Sequence, residues 1–558
     1  MLKYIRGEIM KALICSINSK FIHSSLAPWC LAGGLEKYAP EIDYMVVEGT
    51  INEKIDDVLE RLPLKECGII GFCTYIWNRS SVLELCNLIR NKYNVQIVLG
   101  GPEVSYNAKE ILENHDIDYV ISGEGELPFA LLCKGENPSK IEGLCYRKNG
   151  EIIVSEPYVS NEEPPSPYVD KYFENLNGRI AYIETSRGCP YRCAFCLSGR
   201  CGGVRFFDLE ESKKRIERLA SSGTKTLKFV DRTFNADRKR AREIFSFIID
   251  NYGKKVPQGV CFHFEIEGEL IDNETIEILK KAPVGAIQLE IGIQSFNKET
   301  LESINRRTNL EKLKKNIKLL TNLGNIHIHI DLIAGLPYED LHSFERSFNQ
   351  AYELNAHMLQ FGFLKMLHGS DMRENGEKYK CEFSKEPPYE VISTPWLSQK
   401  EMKIMHTCED VFDKMYNSSR FKRTCAYITE SIGNPFKAFL DFSRFLSNIS
   451  LKTLDELTFE IYTYFSSLSQ ISKNQLRDCL VMDRLATNRM GTIPEFLKIH
   501  SPLTKKFLNS LEENEETKKP QNTKRAISLL SSMDKYVYVD YTELNPVTKE
   551  YKLYQKNI

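Results

Sequence analysis

The segment TSRGCPYRCAFCLSGRCGG, residues 185–203, contains four cysteines within thirteen positions: Cys189, Cys193, Cys196 and Cys201. Four thiolates this close together could hold a zinc ion or an iron–sulfur cluster. Zinc sites built from four cysteines usually have two well-separated pairs, whereas three of these cysteines follow the compressed spacing Cys-x3-Cys-x2-Cys. The spacing therefore favours three thiolates on three corners of a 4Fe–4S cluster, which leaves the fourth iron without a protein ligand.

Cys201 follows Cys196 after four intervening residues. Reaching the fourth iron from there would require the same loop to wrap around the cube. Zinc and a four-thiolate cluster are the alternatives, and we expect Cys201 to lie near the cluster without binding it, with a role toward the substrate as a further possibility. Phe195 is expected to shield the cluster, while Gly188 and Pro190 permit a sharp bend.

The composition is typical of a globular protein of several domains, because 558 residues are too many for one core. The 74 basic residues nearly balance the 76 acidic ones, which argues against a chain built around a polyanion. The longest apolar runs are shorter than the ~20 residues of a membrane span, and the N-terminus lacks an apolar signal core. We therefore expect a cytoplasmic protein without a membrane span, whose other cysteines are reduced.

Short apolar runs alternate with amphipathic segments over residues 11–126. The predicted strands are ALICSI, YMVVEG, GIIGFCTY, QIVLGG and YVISGEGE, and the predicted helices are residues 26–38, 51–62, 80–93 and 107–115. Five strands joined by four helices predict an α/β, doubly wound, Rossmann-like parallel sheet. Ligands of such sheets bind at the carboxyl ends of the strands. A hairpin with a turn at Asn149-Gly150 is predicted to follow.

A second alternating series begins at residue 179, with six predicted strands and five predicted helices. This number fits a partial (β/α)6 barrel better than a full eight-fold one. The chain after residue 370 is predicted to be mainly α-helical, ending in a hairpin around NPVT. The predicted domains are residues 1–150, a linker at 151–177, the barrel at 178–370 and the helical domain at 371–558.

The CxxxCxxC motif, with an aromatic residue before its last cysteine and a barrel strand before it, resembles the radical S-adenosylmethionine (SAM) superfamily. The resemblance implies that SAM binds the open iron and that the reduced cluster cleaves it to methionine and a 5′-deoxyadenosyl radical. Carboxylates suit the hydroxyl and ammonium groups of SAM, and amides suit its carboxylate. The implied SAM contacts are Phe195, Asp231, Glu265, Glu290, Gln294 and Ser295. The alternative is that some of these residues are ion pairs or helix caps at the barrel rim.

The stretch VLGGPEVSYNAKEILENHDIDYVISGEGELPF resembles the cobalamin-binding domain of the cobalamin-dependent radical SAM subgroup. Many such domains hold cobalt through an Asp-x-His-x-x-Gly motif, which this sequence lacks, so we expect no histidine ligand to cobalt from this chain. His23 follows the first strand, where a capping or packing role is favoured. The implied cobalamin contacts are Asn18, His23, Thr74, Tyr75, Trp77, Gly100, Gly101, Pro102, Gly123, Glu124, Gly125 and Glu126.

The order of the three domains also resembles a group of bacterial radical SAM proteins that have their own C-terminal domain. The resemblance implies methyl transfer from methylcobalamin to an unactivated centre. The alternatives are a cobalamin-assisted cyclisation, rearrangement or oxidation without methyl transfer, and a non-catalytic cobalamin- or redox-responsive binding protein. A reductant such as flavodoxin or ferredoxin is implied, with a small molecule, lipid or peptide favoured over RNA as the substrate. No motif specifies the catalytic residues, the substrate or the oligomeric state.

Overall fold

The structure is a computed structural model that describes residues 11–513, 518–519 and 523–557, and for Cys201 and Glu513 the backbone alone. The chain divides into two compact units. The first comprises Met1–Glu267, Ile304–Arg306 and Leu364–Ile392, and the second Gly268–Ser303, Arg307–Phe363 and Ser393–Ile558. Within the described ranges, every helix is too short or too polar to cross a membrane.

The N-terminal domain contains a seven-stranded sheet of order β2-β1-β3-β4-β5-β6-β7, in which β1–β5 are parallel. Its strands are β1 (Lys11–Asn18), β2 (Tyr44–Thr50), β3 (Cys67–Cys73), β4 (Gln96–Gly100), β5 (Tyr119–Ile121), β6 (Leu144–Lys148) and β7 (Glu151–Ile153). Its helices are α1 (Ala27–Tyr38), α2 (Ile55–Glu60), α3 (Arg79–Lys92), α4 (Ala108–Asn114) and α5 (Glu126–Cys133). The doubly wound prediction is confirmed.

The predicted hairpin is also confirmed, since β6 and β7 pair antiparallel around Asn149 and Gly150. Both turn residues have positive φ, +53° and +87°, as a two-residue hairpin turn requires. Asparagine and glycine tolerate this conformation better than other residues do, and this is why the sequence signal was reliable.

The middle of the chain alternates strands and helices as predicted. Its strands are β8 (Ala181–Ile183), β9 (Ser186–Arg187), β10 (Arg205–Phe206), β11 (Thr226–Phe229), β12 (Cys261–Ile266), β13 (Ile287–Gln294), β14 (His327–Ala334) and β15 (Met358–Phe363). Its helices are α6 (Asp170–Leu176), α7 (Leu209–Ala220), α8 (Arg238–Asn251), α9 (Asn273–Leu279), α10 (Lys298–Ser303), α11 (Leu310–Thr321) and α12 (Leu341–Tyr352). Strands β8, β11 and β12 run parallel in the first unit, and β13, β14 and β15 run parallel in the second.

Most of the helices between these strands begin at an aspartate or asparagine whose side chain accepts a hydrogen bond from the first turn. These N-caps are Asp208, Asp237, Asp272, Asn309 and Asp340. Each satisfies a backbone N–H that the helix itself leaves unpaired. The sequence thus determines where each helix starts, and the preceding strand ends at a fixed point before it.

The C-terminal region is mainly helical, as predicted. Its helices are α13 (Asp371–Glu374), α14 (Gly376–Tyr379), α15 (Gln399–Phe412), α16 (Lys422–Ile432), α17 (Pro435–Leu446), α18 (Leu454–Ser466), α19 (Lys473–Thr487) and α20 (Leu503–Glu513). Its strands are β16 (Glu382–Phe383), β17 (Val391–Ser393), β18 (Arg525–Leu530), β19 (Lys535–Leu544) and β20 (Tyr551–Asn557). The predicted hairpin is formed by β19 and β20, and β18 adds a third antiparallel strand that we did not predict. Residues 371–392, assigned from sequence to this region, pack within the first unit.

Candidate functional site

The cysteine loop leaves β9 at Gly188, whose φ of +94° allows the sharp turn. Cys193 is buried, and Cys189 and Cys196 are half-buried, all three with free thiols. The backbone N–H of Cys196 donates to the carbonyl of Cys193 at 3.0 Å, and the N–H of Ser198 donates to the sulfur of Cys196 at 3.4 Å. The loop is therefore a tight turn in its own right. The backbone of Cys201 ends the short helical turn that follows, and its side chain lies outside the described residues.

The three thiols lie close enough to interact electrostatically. Burial raises the pKa of the Cys193 thiol, the Arg306 guanidinium lowers it, and the thiols of Cys196 and Cys189 raise it again. Three soft sulfur ligands on one loop are the donor set that iron–sulfur clusters use. These residues therefore fit a 4Fe–4S cluster, which would replace the thiol protons.

Two side chains outside the loop contact its sulfurs. The Oγ1 atom of Thr233 lies 3.3 Å from Cys189 Sγ, and Nη1 of Arg306 donates to Cys193 Sγ at 3.8 Å. Arg306 also forms an ion pair of 2.9 Å with Glu267, directly after β12. Sequence reasoning missed both members of this pair, although the position of Glu267 at a strand end was an available signal.

Asp231, a predicted SAM contact, is fully buried and holds the strand that leads into the cysteine loop. Its carboxylate accepts hydrogen bonds from the N–H of Thr185 at 3.0 Å and from its hydroxyl at 2.7 Å. It also accepts one from the hydroxyl of Ser186 at 2.5 Å. Burial raises the pKa of Asp231, and these bonds oppose the shift. Contact of Asp231 with SAM remains a prediction.

The other predicted SAM contacts of the first unit are more accessible. Phe195 is half-buried in the cysteine loop. Glu265 is also half-buried, and its carboxylate lies 3.9 Å from Arg232. Contact of Glu265 with SAM stays a prediction.

In the second unit, Glu290 belongs to a polar group on adjacent strands. It pairs in register with His329, and ligand atoms of Glu290, His329 and Asp331 lie within 4.8 Å of one another. The ring of His329 lies 2.9 Å from Asp331 and 3.7 Å from Glu290. Gln294 has a φ of +74° where the pairing of β13 with β14 shifts by one residue. Strained backbone of this kind is found at functional positions, and this supports Gln294 as a candidate site residue.

Ser295, by contrast, is fully buried within a polar cluster of the second unit. Its hydroxyl donates to Glu339 at 2.6 Å, and the hydroxyl of Ser347 donates to the same carboxylate oxygen at 2.8 Å. Burial raises the pKa of Glu339 to about 7, although both hydroxyls oppose the shift. The observed contacts of Ser295 are thus with its own chain, and its contact with SAM stays a prediction.

Glu124 and Glu126, both predicted cobalamin contacts, form ion pairs with Arg187 of β9. The guanidinium lies 3.0 Å from Glu124 and 2.6 Å from Glu126, and it also contacts Glu184 at 3.0 Å. Arg205 adds a further ion pair to Glu124. Burial raises the pKa of Glu184 to about 7, and Arg187 opposes the shift. The turn after β5 is therefore tied to the residue that precedes Gly188.

The glycines of the predicted cobalamin edge differ in how closely the surrounding chain approaches them. A Cβ on Gly101, at φ +109°, would lie 2.5 Å from the carbonyl oxygen of Thr74, and one on Gly123 would lie 2.2 Å from that of Tyr158. A Cβ on Gly125 would meet only the end of a flexible leucine. At Gly100 the nearest atoms are 3.8 Å away, so its own chain leaves room there. Close approach of a ligand would explain a glycine at that position.

Other residues at the same sheet edge present an unsatisfied hydroxyl and an exposed aromatic surface. Thr74 Oγ1 is buried and has no hydrogen-bond partner among the described residues. Trp77 is 47% exposed and stacks on Tyr75 with ring centres 4.4 Å apart. Together with Gly100, these features fit a flat ligand such as a corrin. Pro102 is exposed beside them.

Asn18 and His23 are held by contacts within the first unit. The Asn18 amide donates to the carbonyl of His23 at 3.2 Å, and the Nδ1 atom of His23 lies 2.6 Å from the hydroxyl of Tyr182. Burial lowers the pKa of His23. The ring of His23 thus has a partner in its own chain, in line with the packing role that the sequence favours.

Residues 364–392 hold the loop after β4 and the cysteine loop together within the first unit. The hydroxyl of buried Tyr389 donates to Glu103 and accepts from Arg79. The N–H of Met372 donates to the carbonyl of Ala194, inside the cysteine motif, at 3.0 Å. Nothing local in the sequence of this stretch marks residues that bind partners far away in the chain.

Comparison with protein families gives three matches. Residues 13–132 match the B12 binding domain, and residues 183–351 match the radical SAM superfamily. Residues 377–557 match a family described as protein of unknown function (DUF4080). The first range contains the predicted cobalamin edge and the second contains the cysteine loop, and the two matches confirm the resemblances inferred from sequence.

Individual proteins give a consistent picture. The chain is 26% identical over 379 residues to 2-(S-pantetheinyl)-carbapenam-3-carboxylate methyltransferase of Streptantibioticus cattleyicolor, covering 60% of this chain and 53% of that protein. It is 27% identical over 324 residues to the cobalamin-dependent radical SAM methyltransferase TokK of Streptomyces tokunonensis, covering 52% and 46%. The chain thus spans about half the length of each.

A solved structure shares the fold. The radical SAM methyltransferase TsrM from Kitasatospora setae, with cobalamin and a [4Fe-4S] cluster bound, superposes with a TM-score of 0.55 at 18% identity. The superposition covers 67% of this chain and 76% of that one.

Gly100, the last residue of β4, and Gly101, directly after it, provide a matched test of the predicted cobalamin edge. Gly101→Ala should lower the free energy of unfolding by ~1–3 kcal/mol, because it imposes a positive φ and a clash on alanine. Gly100→Ala should change stability by less than about 0.5 kcal/mol yet reduce the cobalamin retained after desalting. Denaturant unfolding and visible absorbance measure the two effects. Full cobalamin retention by Gly100→Ala would contradict the assignment.

The buried carboxyl of Glu339 predicts a pH-dependent stability. Since its pKa is raised from 4.5 to about 7 in the folded state, folding retains a proton that the unfolded chain releases. This contribution to the free energy of unfolding is therefore present below pH 4.5 and is lost as the pH rises to about 7. Glu339→Gln should remove that decline, whereas Glu353→Gln, at an exposed position after α12, should keep it. Identical pH profiles for both variants would refute the prediction.

Proposed function

Because the chain joins a B12-binding domain to a domain of the radical SAM superfamily, we propose that it is a cobalamin-dependent radical SAM methyltransferase. The observation that carries the proposal is the loop of Cys189, Cys193 and Cys196, which provides three cysteines in the spacing Cys-x3-Cys-x2-Cys. The methyltransferases TokK and TsrM, to which the chain is similar, support methyl transfer over other radical reactions.

The chain's own residues would hold the cofactors and position them. Cys189, Cys193 and Cys196 would bind the cluster, and the edge that contains Thr74, Trp77 and Gly100 would bind cobalamin. When bound, these groups supply a radical from reductively cleaved SAM and a transferable methyl group. The proposed SAM contacts remain Phe195, Asp231, Glu265, Glu290, Gln294 and Ser295.

The ion pairs of Arg187 fix the position at which the cysteine loop begins. The half-buried carboxylate of Glu184 and the buried one of Glu126 would be unfavourable without this guanidinium. With it, they hold the end of β9 against the turn that follows β5. A loop anchored in this way keeps its sulfurs in a constant arrangement, which a cluster with an open iron requires.

The partners are proposed from composition and chemistry. A methyl acceptor without an activated centre, such as a small molecule, lipid or peptide, suits radical chemistry. RNA is disfavoured because acidic and basic residues are nearly balanced. A flavodoxin or ferredoxin in the cytoplasm would supply the electrons.

The fate of SAM tests the proposal. The full-length protein is reconstituted anaerobically with iron, sulfide and cobalamin, then given SAM, a reductant and candidate substrates. Mass spectrometry should find S-adenosylhomocysteine, 5′-deoxyadenosine and a methylated product together. 5′-Deoxyadenosine without a methylated product would contradict methyl transfer and support another radical reaction, and intact SAM would contradict enzymatic function.

The number of cluster ligands can be tested separately. Cys193→Ala should reduce bound iron and abolish SAM cleavage, because one of three ligands is lost. Cys201→Ala should retain both iron and cleavage. Loss of iron from a Cys201 variant that circular dichroism shows to be folded would indicate a fourth thiolate ligand.

A further inference from the structure

Arg306 contacts a cluster cysteine from outside the cysteine motif. Its Nη1 atom donates to Cys193 Sγ at 3.8 Å, across 113 residues of sequence. The side chain of Arg306 is 10% exposed and that of its partner Glu267 is 5% exposed. The guanidinium is thus a buried positive charge beside a sulfur that would bind iron.

The backbone around Arg306 holds this charge in place. The carbonyl of Ile304 accepts a hydrogen bond from the N–H of Ala194 at 2.9 Å, which attaches the tripeptide Ile304–Arg306 to the cysteine loop. Asn305 has a φ of +56°, so the chain turns sharply between the two attachment points. Arg306 is thus attached to the cysteine loop through its side chain and through the backbone of Ile304.

The backbone of Glu267 is also held by hydrogen bonds. The amide of Asn235 donates to the carbonyl of Glu267 at 2.9 Å, and the N–H of Glu267 donates to the amide oxygen of Asn235 at 2.8 Å. The Glu267 carboxylate then lies 2.9 Å from Nη2 of Arg306. The guanidinium of Arg306 thus contacts the Cys193 sulfur, and the Glu267 carboxylate contacts the guanidinium. The positive charge is therefore the nearer of the two to the sulfur.

Charges in a buried site interact more strongly than at the surface, because the surrounding dielectric is low. Reduction of a cluster adds one negative charge to a group that already has thiolate ligands. A guanidinium that donates to a ligand sulfur stabilises this added charge, and hydrogen bonds to the sulfurs are a known determinant of cluster potentials. The negative charge of the Glu267 carboxylate disfavours the reduced cluster, but it acts from farther away than the guanidinium.

We propose that Arg306 raises the reduction potential of the cluster held by Cys193, and that Glu267 limits the increase. The proposal rests on the proposed function, since it requires a cluster on this loop. The step is the transfer of one electron from the reductant to the cluster, with no bond formed or broken in the protein. Arg306 is a positioning residue, because it acts through Cys193.

The test is an EPR-monitored redox titration of the full-length, anaerobically reconstituted protein without SAM. At a fixed potential, Arg306→Gln should lower the ratio of reduced to oxidised cluster about tenfold, which corresponds to a midpoint about 59 mV more negative for one electron. Glu267→Gln should shift the midpoint in the opposite direction. Arg306→Lys, which keeps the charge, should stay closer to the unmodified protein, and Arg307→Gln, at the exposed neighbouring position, should leave the midpoint unchanged.

The opposite signs separate an electrostatic effect from a structural one. An unchanged midpoint in Arg306→Gln with its iron intact, or shifts of the same sign in the two variants, would overturn the proposal. If Arg306→Gln assembles no cluster, the midpoints of Arg306→Lys and Glu267→Gln decide. If the unmodified protein itself shows no 4Fe–4S signal, the proposed function fails, a result that differs from a cluster whose potential ignores Arg306.

Discussion

The guanidinium of Arg187 contacts Glu124, Glu126 and Glu184, and the arrangement of the first unit depends on this interaction. Several carboxylates in a half-buried or buried position repel one another and are costly to desolvate. A planar guanidinium offers donors in a fixed fork and can satisfy them together. Because Glu124 and Glu126 follow β5 while Arg187 ends β9, the same contacts align the B12-binding sheet with the start of the cysteine loop.

From that origin, the loop is supported on both sides. Asp231 holds Thr185 and Ser186 before the loop, and the backbones of Ile304 and Met372 contact Ala194 within it. A loop that needs so many partners has little freedom to change its shape. The three sulfurs are therefore presented as a preorganised set, so that metal binding would require little rearrangement of the chain.

Much of the fold was predictable because it is local. Apolar periodicity located the strands of both α/β regions, and Asn149-Gly150 located a hairpin turn. The cysteine spacing identified the cluster loop for the same reason, since its ligands are neighbours in sequence. Contacts such as Arg306 with Cys193 and Tyr389 with Glu103 join residues 113 and 286 positions apart, and nothing near either residue indicates its partner. Asp231 was expected to contact SAM, but its carboxylate accepts hydrogen bonds from its own chain.

The central claim is that three thiolates leave one iron open to a ligand. Mössbauer spectroscopy of the full-length protein, reconstituted anaerobically with iron-57, tests it most directly. Addition of SAM should change the signal of a single iron site while the other irons of the cluster keep theirs. A spectrum in which SAM changes none of the iron sites would contradict the account.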